Sequence, residues 1–154
     1  GCFTPAIHPY NWRRMQTFMG VRVLPLEQRR TIIYTSRAPG GRSHTATRLV
    51  TNELEVIQTI RAHLAARGGD DELVIFHSYD YSPLETIRLF NSAQAVIGPH
   101  GGAMYDLTYN HLVPWRASTF IQTNYYSIPE VTSKDFHVNL DALQAHLNAG
   151  LPLP

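Results

Sequence analysis

Cysteine is almost absent from this chain of 154 residues: Cys2 stands alone, which excludes an internal disulfide framework and any zinc site built from several cysteines. Long hydrophobic runs are missing too. No stretch approaches the ~20 apolar residues that cross a bilayer, and residues 1–10 lack the charged-then-apolar pattern of a secretory signal. The expectation is a soluble globular piece of about one average domain. Its eight histidines include no His-Glu-x-x-His and no close group with metal-ligand spacing, so no metal is expected. No Gly-x-Ser-x-Gly elbow supports a hydrolase triad. There is neither an internal repeat nor a low-complexity stretch.

Lysine is nearly absent as well. Twelve of the thirteen basic residues are arginine, whose planar fork of donors matches phosphate or carboxylate at two points. The formal net charge of +1 hides an asymmetry along the chain. Through Asn52, eight arginines accompany one carboxylate, Glu27; from Glu53 onward, five basic residues accompany eleven acidic ones. This split predicts one end of the domain suited to an anion, with ordinary surface composition as the competing explanation. Nucleic acid is a poor candidate for that anion. The sequence pI of about 8.1 falls short of the usual basic footprint.

Thr31-Ile32-Ile33-Tyr34-Thr35-Ser36 is short, β-branched and apolar, as suits a strand covered on both faces. A Pro/Gly-rich loop follows it. The next segment carries helix punctuation: Asn52 as a cap with Glu55 three residues later, Leu54, Ile57, Ile60 and Leu64 as an apolar stripe, and Gly68-Gly69 as the stop. Leu73-Val74-Ile75-Phe76 predicts a second strand, and Ser82-Pro83-Leu84-Glu85 a capping box opening a helix with Leu84, Ile87 and Phe90 inward. A third strand is expected at 95–98, a short helix at 103–109, a fourth strand at 118–122 and a closing helix at 138–147 with Leu140, Leu143 and Leu147 in phase. Strands alternating with helices imply an α/β domain, a Rossmann-like, mostly parallel sheet with helices on both faces. Residues 1–28 read as an N-terminal helix and connector, and 29–150 as the Rossmann-like domain.

In such sheets ligands sit beyond the carboxyl ends of the strands, where strand order reverses. Gly98-Pro99-His100-Gly101-Gly102-Ala103 lies between a strand and a helix, where a glycine-rich turn lets backbone N–H groups approach an anion. His100 can donate to a phosphate or carry a proton near neutral pH, a satisfied core histidine being the other account. Arg37 follows the first strand, and Arg48 precedes the next helix. Two guanidiniums on that rim would neutralise a diphosphate without a metal.

Tyr34-Thr35-Ser36-Arg37, Arg48 with Asn52-Glu53, the helix from Ser82, and Val96-Ile97-Gly98-Pro99-His100-Gly101-Gly102 together resemble glycosyltransferase family 61 from about Arg30 to Gln122. The resemblance implies one half, the donor-binding C-terminal domain, of a two-domain GT-B enzyme. Such an enzyme uses a nucleotide sugar, often a UDP-sugar, and transfers it to a glycan or protein hydroxyl in the lumen of the secretory pathway. Carried over by position, it assigns Arg37 and Arg48 to the diphosphate, and Asn52 and Glu53 to shaping the rim. His100, Gly101 and Gly102 would contact phosphate or sugar, with His100 as the catalytic candidate. Gln122 stands where the family has an acid suited to the ribose.

The chain departs from the family at three points: Gly102 and Ala103 are exchanged, Asp106 replaces a common asparagine, and Gln122 replaces the acid. A second domain, or a partner chain, is expected to supply the acceptor side. The alternative is a degenerate, non-catalytic module that serves as a structural or binding unit of a larger assembly.

Overall fold

The computed structural model describes Arg14 and residues 17–37, 49–99 and 135–154. The proline-glycine loop, the segments expected at 103–109 and 118–122, and Arg48, His100, Gly101, Gly102, Asp106 and Gln122 lie outside the described residues.

Three strands form one parallel sheet in the order β2-β1-β3: β1 (Thr31–Thr35) at the centre, β2 (Glu72–Phe76) on one side and β3 (Ala93–Ile97) on the other. Helix α1 (Glu53–Arg67) links β1 to β2, and α2 (Pro83–Asn91) links β2 to β3. Helix α3 (Leu140–Gly150) closes the described fold. The architecture is Rossmann-like, a three-stranded open parallel sheet with helices on both faces.

Every residue of β1 is buried, as expected of a strand covered twice. Ile32 and Tyr34 point toward Val56, Ile60 and Leu64 of α1 and Leu143 and Leu147 of α3. Ile33 points the other way, into a smaller core with Phe76, Phe90 and Ala93. There Phe76 meets Phe90 edge-on at 5.1 Å and stacks on Tyr81 at 5.2 Å. A bulge in β3 keeps this partition: Thr31 pairs with Ala93 but Ile32 with Ala95, and the extra residue, Gln94, turns its amide to Asp71.

The helix boundaries follow local chemistry in two of three cases. Ser82 and Glu85 form the capping box with Pro83 in the first turn, and Asn139 caps α3 by accepting from the Ala142 N–H at 2.9 Å. At its end α1 stops at Gly68, whose φ of 65° few other residues adopt without strain. Its start departs from expectation. Asn52 makes no capping bond; its side-chain amide is engaged by a segment 86 residues away, donating to the Val138 carbonyl and accepting from the Val138 N–H, each at 2.9 Å. A parallel bridge between Val50 and Phe136, with Thr51 N–H donating to the Phe136 carbonyl at 2.9 Å, extends this junction.

The buried stripe of α1 is likewise shifted. It consists of Val56, Ile60, His63 and Leu64, while Leu54 is 67% exposed. His63 joins α1 to the chain's end. A carbonyl can only accept, so Nε2 donates to Leu151 at 2.7 Å and Nδ1 accepts from the Gln144 amide at 3.0 Å. In α2, Phe90 is buried, but Leu84 and Ile87 are only half-buried.

The described arginines of the first third do not all gather at one end of the domain. Arg29, 1% exposed, lies at the amino edge of the sheet, where its guanidinium donates to the Leu24 carbonyl at 2.7 and 3.0 Å and to the Ala93 carbonyl at 3.3 Å. Burial lowers its pKa, and the nearby charge of Glu27 partly opposes that. Asn91 fastens the same segment, accepting from the Leu24 N–H and donating to the Arg22 carbonyl. Arg37 leaves the opposite edge, across a five-residue strand about 16 Å long. Among the described residues, arginines close in sequence are thus divided between a structural clamp and the carboxyl edge of the sheet.

Candidate functional site

The chain passes from β1 to β2 on one side and then crosses to β3 on the other, so strand order reverses at β1. The space beyond the carboxyl ends of β1 and β3 is therefore the switch point where doubly wound sheets bind ligands. Ser36 extends the β1 edge, its N–H donating to the Phe76 carbonyl at 3.0 Å, and the half-buried Arg37 follows directly. Gly98 and Pro99 leave β3 beside it.

Gly98 explains how these two strand ends come so close. Its φ is +151°, and a Cβ there would lie 2.0 Å from Thr35 Oγ1 and 2.7 Å from the Thr35 carbonyl oxygen. Only glycine lets the two backbones approach in this way. The close approach fixes the stems of both sequence-identified loops, the one carrying Arg37 and the one leading to His100.

The amino end of α1 forms a third wall. Glu53 is its first residue, half-buried, and Glu55 lies in the same turn; both carboxylates complement the positive end of the helix. Beneath Glu53 lies Tyr34, 1% exposed. Among the described residues, its hydroxyl is the one buried side-chain polar atom without a hydrogen-bond partner. Such an orphan costs about 1–3 kcal/mol. Burial first, and then the charge and hydrogen-bonding reach of Glu53, push the phenol far above its ordinary range. The carboxylate is near the hydroxyl, yet the resting geometry leaves no formed hydrogen bond between them.

Of the residues singled out from the sequence, Arg37, Asn52 and Glu53 lie among the described residues. Arg37 and Glu53 share the carboxyl edge of β1. Asn52 adjoins them, but its amide holds Val138, so it shapes this edge by fixing the start of α1. Tyr34, buried beside Glu53, was not among the residues singled out from the sequence. The available signal was strand alternation, which sends Tyr34 to the α1 face while Ile33 faces α2.

Among the described residues, no group of three or more histidine, cysteine, aspartate or glutamate side chains is gathered to hold a metal. No described helix is long and apolar enough to cross a membrane. No curated protein and no solved structure matches the chain. Residues 3–112 match the family described as Glycosyltransferase 61, a span that contains the whole described sheet and the carboxyl edge with Arg37, Glu53 and Gly98. With the parallel α/β fold and the matched span agreeing, the chain belongs to glycosyltransferase family 61.

Proposed function

We infer that this chain is the donor-binding half of a GT-B glycosyltransferase and takes a UDP-sugar at the carboxyl edge of β1 and β3. Family membership carries glycosyl transfer in general. The observation that best supports the finer reading is the switch point itself: Arg37 stands on one strand end, and Gly98 is packed onto the neighbouring one. Arg37 and Arg48 would neutralise the diphosphate, while His100, Gly101 and Gly102 approach phosphate or sugar. Glu53 and Gln122 would accept donor hydroxyls, and Asn52 positions α1.

In the transfer, the acceptor hydroxyl attacks the anomeric carbon, the bond from that carbon to the diphosphate oxygen breaks, and UDP departs with the bonding pair. Arginine charge stabilises that leaving group without a metal. A base on a second domain or partner chain takes the hydroxyl proton, and the acceptor is a glycan or protein hydroxyl in the lumen of the secretory pathway.

Thermal unfolding in the presence of UDP-sugars tests this reading. At a hundredfold excess over Kd, a ligand specific for the folded state adds about 2.7 kcal/mol, which for a domain of this size raises Tm by about 5–10 °C. Arg37→Ala and His100→Ala remove the protection. Absence of protection by any common nucleotide sugar at millimolar concentration overturns it. Asp106 and Gln122 favour one other reading, a degenerate module that binds without turnover. It predicts protection by donor but no release of UDP when the completed enzyme meets acceptor.

A further inference from the structure

The side chain least explained by packing is Tyr34. A phenylalanine would fill the same space between β1 and α1, yet the chain buries a hydroxyl there with no formed partner. Buried polar groups are nearly always paired, and an exception calls for a use. The hydroxyl's neighbourhood indicates one. Tyr34 packs in the same core as Val56, and Glu53, three residues earlier, lies on the same face of α1, one turn nearer the rim. The outer end of the Tyr34 ring therefore faces the Glu53 side chain, the first group of α1 at the carboxyl edge.

We propose that Tyr34 is a positioning residue: its phenol O–H donates to the Glu53 carboxylate, orienting that carboxylate to accept hydroxyl groups of the bound nucleotide sugar. The inference rests on the reading that this edge takes such a donor. The Glu53 carboxylate lies near enough to act on the hydroxyl, and the tyrosine stays protonated when the bond forms, because burial and the carboxylate both oppose its ionisation. One oxygen of Glu53 is then held from below, leaving the other to face the ligand. A flexible first-turn glutamate becomes a fixed acceptor.

The test uses the full chain and the variants Tyr34→Phe, Glu53→Ala, Glu53→Gln and the Tyr34→Phe/Glu53→Ala double variant. Urea unfolding of this cycle is compared with the affinities for UDP and UDP-GlcNAc. The unfolding constants are expected to be non-additive by about tenfold. Tyr34→Phe, which removes the unpaired hydroxyl, folds at least as stably as the natural chain yet binds UDP-GlcNAc about tenfold more weakly. Glu53→Gln, which keeps an acceptor, recovers part of the affinity lost in Glu53→Ala. Equal weakening for UDP and UDP-GlcNAc assigns Glu53 to the ribose hydroxyls; weakening confined to UDP-GlcNAc assigns it to the sugar. Additive unfolding effects overturn the pairing, and unchanged affinity in Tyr34→Phe overturns the positioning role. If the natural chain binds neither nucleotide, the donor reading itself fails, a result visible before any variant is compared.

Discussion

Replacing Gly98 by alanine would place a Cβ 2.0 Å from Thr35 Oγ1 and 2.7 Å from the Thr35 carbonyl oxygen. The first contact is with a side chain; the second is with the backbone of the central strand, which cannot rotate away. Thr35 is itself buried, and its hydroxyl makes a long, 3.4 Å contact with the Ile97 carbonyl. Two penalties combine. A residue with a side chain at φ +151° carries about 1–3 kcal/mol of backbone strain, and overpacking adds about 1–3 kcal/mol. The expected loss is about 2–6 kcal/mol, or about 4–24 °C in Tm for a chain of this length. Adding Thr35→Ala removes the shorter contact but leaves the carbonyl, so it should restore only part of the loss. Gly150→Ala is the control: nothing lies within 4 Å of its Cβ position, and it should leave stability unchanged or slightly raised. Chemical denaturation of the four proteins reads these differences directly. A Gly98→Ala chain within about 0.5 kcal/mol of the natural one would refute the claim that close backbone approach builds the switch-point edge.

Two other perturbations probe the frame around that edge. Arg29→Lys retains charge but not the planar fork that serves two carbonyls; it should cost about 2–4 kcal/mol in urea unfolding, and an unchanged midpoint would show that the clamp contributes nothing. At the start of α2, the Ser82 hydroxyl and then its backbone N–H hold the Glu85 carboxyl below its usual range, with Arg88 adding to the effect. A depressed carboxylate contributes stability above its unfolded value and loses it as pH falls through the folded one. Protection factors in the first turn of α2, amide exchange corrected for its intrinsic pH dependence, should therefore fall as the solution is acidified below the ordinary carboxylate range. Glu85→Gln should flatten that dependence, and identical profiles for the two proteins would dismiss the capping box as its origin.

What could be read from the sequence was what neighbouring residues decide among themselves. Ser82, Pro83 and Glu85 specify the start of α2 within four positions, and Gly68 ends α1 through its own backbone freedom. Burial of β1 on both faces was equally legible, as were Leu143 and Leu147 on α3. Readings failed where a distant segment outbid a local partner. Asn52 looks like a helix cap, but Val138 offers it two hydrogen bonds across 86 residues. On α1, Ile57, Ile60 and Leu64 were legible and Leu54 was not; His63 reads as polar, whereas Leu151 and Gln144 satisfy both ring nitrogens and allow it into the core. Arg29 counted toward an anion-binding end until its carbonyl partners placed it at the opposite edge. For the site, the positions of Arg37 and Glu53 follow from strand–helix order. The role of Tyr34 needs three dimensions, since nothing in a list of residues marks a hydroxyl as unpaired.

The junction between residues 49–52 and 135–138 also has a consequence for how the protein is made. During translation the three strands and the two helices between them are synthesised before Asp135, Phe136 and Val138. The start of α1 is therefore made well before the backbone that Asn52 grips. Fastening of the α1 start thus waits on a segment made after all three strands, and chains truncated before residue 135 should lack the fixed helix start that Val138 gives Asn52.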